Sequence, residues 1–334
     1  MSMKYLFFLL FMSVNFTAQF SFSQTKLDVK RLSNYFPNLS NHLNKQSIPA
    51  EKAIKNFDTS LSKTAICRND NILIINKNGE ILTNFELAEL ELNKPNHFKW
   101  NSTGTEALVS VNHINQNKRS LAKLRINGEL QLIVEARKGE QILQPSWSSN
   151  NNKFVFLSSN MGNKLIIQDV DTKKQIIISE NGGSNPVWLH NSNKIVYARS
   201  EVTAGISPVR KLYLYDLDSN SNKVLFDNYN GIYPVVSPDD SFVLIDIGHN
   251  FAIINLDGKI IKEFKSSKGY SESISPNGKS FAYLKAIIEG DPGRLVTEHL
   301  HIVDINSGVD VDITPDSSKN IRSYLWDSNN NIIY

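Results

Sequence analysis

From about residue 63 onward the chain alternates short apolar runs with polar turns, and the alternation repeats over a long period. One phrase reads Gln144-Pro145-Ser146-Trp147, a polar turn, then Lys153-Phe154-Val155-Phe156. It returns as Asn185-Pro186-Val187-Trp188 with Lys194-Ile195-Val196-Tyr197, as Tyr233-Pro234-Val235-Val236 with Phe242-Val243-Leu244, and as Ser273-Ile274 with Phe281-Ala282-Tyr283. Phe98-Lys99-Trp100 with Ala107-Leu108-Val109, and Leu325-Trp326 with Ile332-Ile333-Tyr334, make further copies. The key position is therefore Trp100, Trp147, Trp188, Val236, Ile274 and Trp326, so all four tryptophans share one slot of one repeat.

A second phrase follows each first one: an apolar run that ends on Asn or Asp, then a short strand. Examples are Ile72-Leu73-Ile74-Ile75-Asn76, Leu212-Tyr213-Leu214-Tyr215-Asp216 and Phe251-Ala252-Ile253-Ile254-Asn255. Asn and Asp bond their own backbone two residues on, and with Gly they accept left-handed conformations, so these sites predict tight hairpin turns. Each module then has four short antiparallel strands. Subtracting successive key positions gives spacings of 47, 41, 48, 38 and 52 residues, the period of a propeller blade. Leu212 and Leu214 alternate with Tyr213 and Tyr215, which predicts sheets covered on both faces. Bulk at the key position fills the gap between neighbouring blades, and the tryptophans are expected to be structural.

The first module, from Thr64, lacks an obvious first strand, and the last, Ser323 to Tyr334, stops early. Their combination predicts an all-β, six-bladed propeller closed by N- and C-terminal strands, or seven blades if part of 26–60 is recruited. The expected organisation is a leader over 1–23, a linker or short helical lead-in over 24–62, and the propeller over 63–334.

The P-x-W-S-P-D-G-like phrase followed by L-x-x-x-D-x-D-x-G, with Ser237-Pro238-Asp239-Asp240 and Ser275-Pro276-Asn277-Gly278 as its turns, resembles the WD40-like, or PD40, repeat of TolB-type six-bladed propellers. The resemblance covers about 63–334 and implies a periplasmic or secreted propeller that binds protein or glycan partners. TolB itself carries an α/β domain ahead of its propeller, where this chain has about 40 residues.

Composition adds the compartment. Lys4 precedes the apolar run Tyr5 to Met12, and Ser21 and Ser23 flank Phe22 before Gln24, the pattern of a secretory signal peptide cleaved near Ser23. The run is shorter than the ~20 residues of a bilayer span, so no stable membrane span is expected after cleavage. The 36 basic and 33 acidic residues leave a net charge of +3 without blocks of like charge, which gives no ground for nucleic acid as a partner. The single cysteine, Cys67, sits in an apolar run and is expected to be a buried small hydrophobe.

No G-x-S-x-G elbow, phosphate loop or zinc spacing occurs. His299 and His301, two apart on a strand, could share a face, but His301 falls on a packing position; His42, His97, His113, His190 and His249 have no ligand spacing. No catalytic, cofactor or metal site is therefore assigned. Binding is expected on the loops joining second to third strands, where Lys118, Arg119, Arg210, Lys211, His249 and Arg294 give one face a basic tint. The expected function is a monomeric, non-enzymatic, exported interaction scaffold for a protein or glycan of the cell envelope. The alternative is a propeller-type carbohydrate-active enzyme, such as a polysaccharide lyase working in the central cleft; some propeller lyases that act on oligogalacturonate hold a metal with histidines.

Overall fold

The computed structural model describes residues 29–30, 56–60, 63–68, 70–76, 80–160, 162–201, 209–227, 233–248, 250–265, 269–287, 297–314, 321, 324–327 and 329–333. The expected leader, most of the expected lead-in and the side chain of Cys67 lie outside what is described.

The strands fall into successive antiparallel modules in chain order. Module one is Asn56–Ser60, Lys63–Arg68, Asn71–Asn76 and Ile81–Glu86. Module two is Leu92–Trp100, Glu106–His113, Arg119–Arg125 and Leu130–Val134; module three is Gln141–Trp147, Lys153–Ser159, Asn163–Asp169 and Gln175–Ser179. A single bridge between Arg119 and Gln141 joins these two. Module four is Gly183–Trp188, Lys194–Glu201, Val209–Asp216 and Ser221–Phe226. Module five is Val235–Val236, Val243–Asp246, Asn250–Ile254 and Ile260–Lys265, and module six is Gly269–Ile274, Ser280–Ile287, Thr297–Asp304 and Asp310–Asp312. Module seven pairs Leu325–Trp326 with Ile332–Ile333, and Val29–Lys30 joins it.

The described strands thus form seven modules, the alternative that the sequence left open. The reason is Asn56–Ser60, which pairs antiparallel with Lys63–Arg68 and gives module one its own first strand from within the expected lead-in. Asn56-Phe57-Asp58-Thr59-Ser60 carries neither the tryptophan nor the Ser-Pro-Asp turn of the other copies, so the repeat phrase does not reveal it. The chain ends still meet. Val29 and Lys30 lie parallel to Ile332 and Ile333, and Leu325–Trp326 stands beside Asn56–Ser60 of module one.

The sheets of modules two to six bury both faces against their neighbours. Tyr197, Tyr213 and Tyr215 of module four pack with Val155, Leu157, Leu165 and Trp188 on the module three side. The opposite face, Val196, Ala198, Leu212 and Leu214, packs with Val243, Ile245, Ala252 and Ile254 of module five. Equivalent clusters lie between modules one and two, two and three, five and six, and six and seven. Trp147, Trp188 and Trp326 are all buried. The indole nitrogens of Trp147 and Trp326 donate across to the preceding module, to the Lys99 carbonyl at 3.1 Å and to Ser273 Oγ at 3.0 Å.

Five of the turns after the first strands are each built on one buried side-chain oxygen, the exception in module four being Leu189. Ser148, Ser237 and Ser275 follow the key position and are buried; their hydroxyls accept the backbone N–H of Lys153 at 2.9 Å, Phe242 at 3.0 Å and Ser280 at 3.0 Å. Asn101 and Asp327 do the same from that slot, accepting from Thr105 and Asn331. The same turns also latch module to module. Asn151, Asp240 and Asn330 have left-handed φ of 60°, 62° and 63°, and their side chains accept backbone N–H groups of the preceding turn: Ser102 at 3.1 Å, His190 at 2.8 Å with Asn191 at 2.7 Å, and Asn277 at 2.9 Å.

Asp240→Gly keeps the left-handed turn but removes both latch bonds, and is expected to lower stability by about 1–3 kcal/mol in denaturant unfolding. Asp240→Asn keeps one acceptor oxygen and should lose less. Equal losses in the two variants would place the effect elsewhere than in the latch.

Candidate functional site at the inner-strand mouth

The first strands of modules one to four stand side by side in that order, as do those of five and six and of seven and one; they are the inner strands of the ring. Each long inner strand is broken by a bulge just before its key position: at Asn96/Lys99, Leu143/Ser146, Ser184/Val187 and Tyr270/Ser273. The residue three before the key position is left-handed in all four: His97 at φ 51°, Gln144 at 53°, Asn185 at 51° and Ser271 at 58°. None is glycine, so each copy carries local strain of about 1–2 kcal/mol that neighbours must offset. One offset is visible, since Gln144 Oε1 accepts the Asn185 backbone N–H at 2.8 Å across the module boundary. A bulge on an inner strand re-aims side chains at the rim of the ring.

His97 is the distinctive member. Burial, with the positive charges of Arg119 and Lys99, pushes its imidazole down from 6.5 to about 4, so it is a neutral base or acceptor near pH 7. Arg119 begins the third strand of module two, and its backbone N–H donates to the Glu140 carbonyl at 3.0 Å. Its Nε donates to Asn112 Oδ1 at 2.6 Å. The side chain is half-buried, and burial lowers its basicity. A guanidinium held in this way beside a neutral imidazole can accept a carboxylate in two-point contact.

The other loop residues are differently engaged. Lys118 pairs with Glu135 at 3.1 Å. Arg210 donates to Ser184 Oγ at 2.9 Å, next to the left-handed Asn185. Lys211 sits between Glu201 at 3.2 Å and Asp227 at 3.4 Å, and Glu201 also accepts the Tyr213 hydroxyl. His249 and Arg294 lie outside the described residues. Of the basic residues expected to form one face, Arg210 reaches an inner-strand bulge through Ser184, the charge of Arg119 acts on His97, and Lys118 and Lys211 are held in outer ion pairs.

On module six, Glu272 follows the left-handed Ser271 and is part-buried. Burial and the nearby charge of Asp246 push its carboxyl up from 4.5 to about 7. His299 and His301 are tied to the outer strand: Nδ1 of His299 is 2.6 Å from Asp312 Oδ2, and Nδ1 of His301 is 3.0 Å from Asp310 Oδ1. His301 is buried and stacks on Tyr283 at 5.1 Å, as its packing position predicts.

Sequence reasoning missed His97, Gln144, Asn185, Ser271 and Glu272 as a set. The signal was present: three residues before the key position every copy is polar, His97, Gln144, Asn185, Tyr233, Ser271 and Ser323. A polar residue at a fixed offset inside an apolar strand marks a break in the pleat.

No family model and no curated protein matches the chain. Solved structures do. An oligogalacturonate lyase in complex with manganese matches with a TM-score of 0.57 at 10% identity, over 83% of this chain and 81% of that one. An oligogalacturonate lyase from Vibrio parahaemolyticus matches at 0.52 and 14% identity, over 78% and 74%. TolB from Acinetobacter baumannii matches at 0.50 and 14% identity, over 91% and 85%.

These matches overturn the expectation of a non-enzymatic scaffold, since two of the three are lyases. That expectation rested on the full-length repeat, the leader pattern and the absence of catalytic spacing, and none of these separates a scaffold from a propeller lyase. Among the described residues no three His, Cys, Asp or Glu side chains converge to hold a metal ion, and His299 and His301 are each paired with an aspartate. Among the described residues no helix is long and apolar enough to cross a membrane. The fold is a TolB-like β-propeller, shared by TolB and by oligogalacturonate lyases.

Proposed function

We propose that the protein is an exported propeller enzyme that cleaves an acidic oligosaccharide at the inner-strand mouth by β-elimination. The observation that carries this reading is the half-buried Arg119 guanidinium beside the neutral imidazole of His97. Elimination from a uronate needs two things of a protein: a positive charge to neutralise the C6 carboxylate, which acidifies the C5–H, and a base to take that proton. Arg119 supplies the first and His97 the second. The electron pair of the C5–H bond becomes the C4–C5 double bond, and the C4–O4 bond breaks with its pair on O4, so no external water or oxidant is consumed. The oligogalacturonate named for two structural relatives makes it the first substrate to test, and the Ser21-Phe22-Ser23 cleavage pattern supports export.

With short oligogalacturonates, formation of the unsaturated product is expected to fall about 100-fold or more in Arg119→Ala and in His97→Ala. Arg119→Ala should also weaken binding, measured by calorimetry, whereas His97→Ala should leave it nearly unchanged. Full turnover by both variants would refute the assignment.

Folding has its own pH signature. The folded pKa of His97 lies below the ordinary 6.5, so the unfolded chain takes up the proton more readily. The stability that depends on neutral His97 is complete above pH 6.5 and is lost as pH falls towards 4. Thermal melts of the wild type should therefore decline over that window more steeply than those of His97→Gln; parallel declines would mean that His97 is not held neutral.

A further inference from the structure

Arg119 has a counterpart in module four. The first buried apolar residues of the third strands are Ile72, Leu121, Leu165, Leu212 and Leu300, and two positions before them stand Asp70, Arg119, Asn163, Arg210 and Glu298. In two modules this slot is bonded to the inner strand of its own sheet. Arg210 Nη2 donates to Ser184 Oγ at 2.9 Å, and Glu298 accepts the Tyr270 hydroxyl at 2.5 Å. Ser184 and Tyr270 both stand four residues before the key position, next to the left-handed slot that holds His97 in module two. Arg119 and Arg210 thus hold one repeat position in two modules, beside the bulges of the inner strands.

Charge at this repeat position is uneven. Asp70 of module one and Glu298 of module six are anions, Arg119 and Arg210 of modules two and four are cations, and Asn163 of module three is neutral. Packing does not call for arginine there, since Asn163 serves the same place. Modules two, three and four are also bonded to one another at this level. The Arg119 backbone N–H donates to the Glu140 carbonyl at 3.0 Å, and Gln144 Oε1 accepts the N–H of Asn185, the neighbour of Ser184, at 2.8 Å. The two guanidinium groups therefore belong to one continuous stretch of the inner wall. Both side chains are part-buried. Glu201, across the strand pair from Val209, is engaged by Lys211 at 3.2 Å and by the Tyr213 hydroxyl. A guanidinium stays charged at any working pH and can meet a carboxylate at two points.

We propose that Arg210 is a specificity-determining residue of the mouth, which holds the carboxylate of a second uronate while Arg119 holds that of the sugar being cleaved. The inference rests on the acidic-oligosaccharide reading above and gives the bound chain a direction. It lies across modules two to four, away from Asp70 and Glu298, whose charges repel its carboxylates. Arg210 moves no proton and touches no breaking bond. Its contact is the same before and during the reaction, so it lowers KM and leaves kcat little changed. The substrate class it selects is a chain of several uronates rather than a single acidic sugar.

The test compares wild type, Arg210→Gln and Arg210→Lys on the disaccharide and hexasaccharide of galacturonate and on the methyl-esterified hexasaccharide, by turnover and by calorimetric binding. Arg210→Gln keeps an N–H donor for Ser184, so the inner strand retains its bond. It is expected to raise KM and Kd for the hexasaccharide about tenfold, with kcat within about threefold. The gain in affinity from disaccharide to hexasaccharide should shrink with it. Arg210→Lys keeps the charge without the two-point contact and should fall between the two. Esterification removes the charge from the sugar, so wild type and Arg210→Gln should bind the ester equally. Equal hexasaccharide affinity in wild type and Arg210→Gln overturns the role of Arg210 and leaves the elimination reading standing. Equal losses on acid and ester overturn it as well, because the effect then comes from the fold and not from a carboxylate contact. Binding that depends on Arg210 without turnover by the wild type overturns the elimination reading alone, and absence of binding by the wild type overturns both.

Discussion

The structure depends on apolar surface pressed between neighbouring sheets. No module could stand alone, because a four-stranded sheet with both faces apolar has nothing to cover it but another such sheet. Module four illustrates the constraint: its tyrosines bury against module three and its leucines against module five. The only arrangement that covers every face is a closed series. That demand explains why a pair as short as Val29–Lys30 joins the last module and why Asn56–Ser60 is recruited into the first. At about 25 cal/mol per Å², each inter-module cluster contributes several kcal/mol, so short closing strands are tolerated.

Hydrogen bonds then fix what apolar packing leaves loose. Sheets sliding against one another would cost little in buried area, and the latches of Asn151, Asp240 and Asn330 resist such sliding at the turn end of the ring. Within the inner strands, a few residues before those turns, Gln144 and Asn185 make a further bond from module to module at the bulges. The bulges also leave strained polar residues on the wall of the ring. Inner strands tied together at both turn and bulge can support left-handed residues such as His97 and Ser271, whose strain a flexible loop would release.

The fold was legible because its causes are local and repeated. A polar turn after Trp147 means little by itself; its recurrence after Trp188, Val236 and Ile274 fixes a period, and the alternation Leu212-Tyr213-Leu214-Tyr215 fixes two covered faces. Module one was obscured because Asn56–Ser60 is placed by pairing with Lys63–Arg68 rather than by a turn signal of its own. The site was much less legible. His97 and Arg119 are 22 residues apart by subtraction and lie on first and third strands of one module, and nothing in linear spacing brings them together. Glu272 looked like one of 33 acidic residues until its slot was compared with Pro145, Pro186 and Pro234.

Repeat architecture therefore offers a physical route to chemistry that motifs do not provide. Where a slot is filled by proline or an aromatic ring in most copies, those residues report what the backbone and its neighbours require there. A carboxylate in the same slot meets none of that requirement and bears a desolvation cost besides, visible in the raised pKa of Glu272. His97 is the parallel case among amides and hydroxyls, its proton affinity lowered by burial and by Arg119. Both departures fall in adjacent slots within the inner strands, at the bulges. Packing accounts for the prolines and tryptophans, and it does not account for a histidine and a carboxylate whose charged forms burial disfavours.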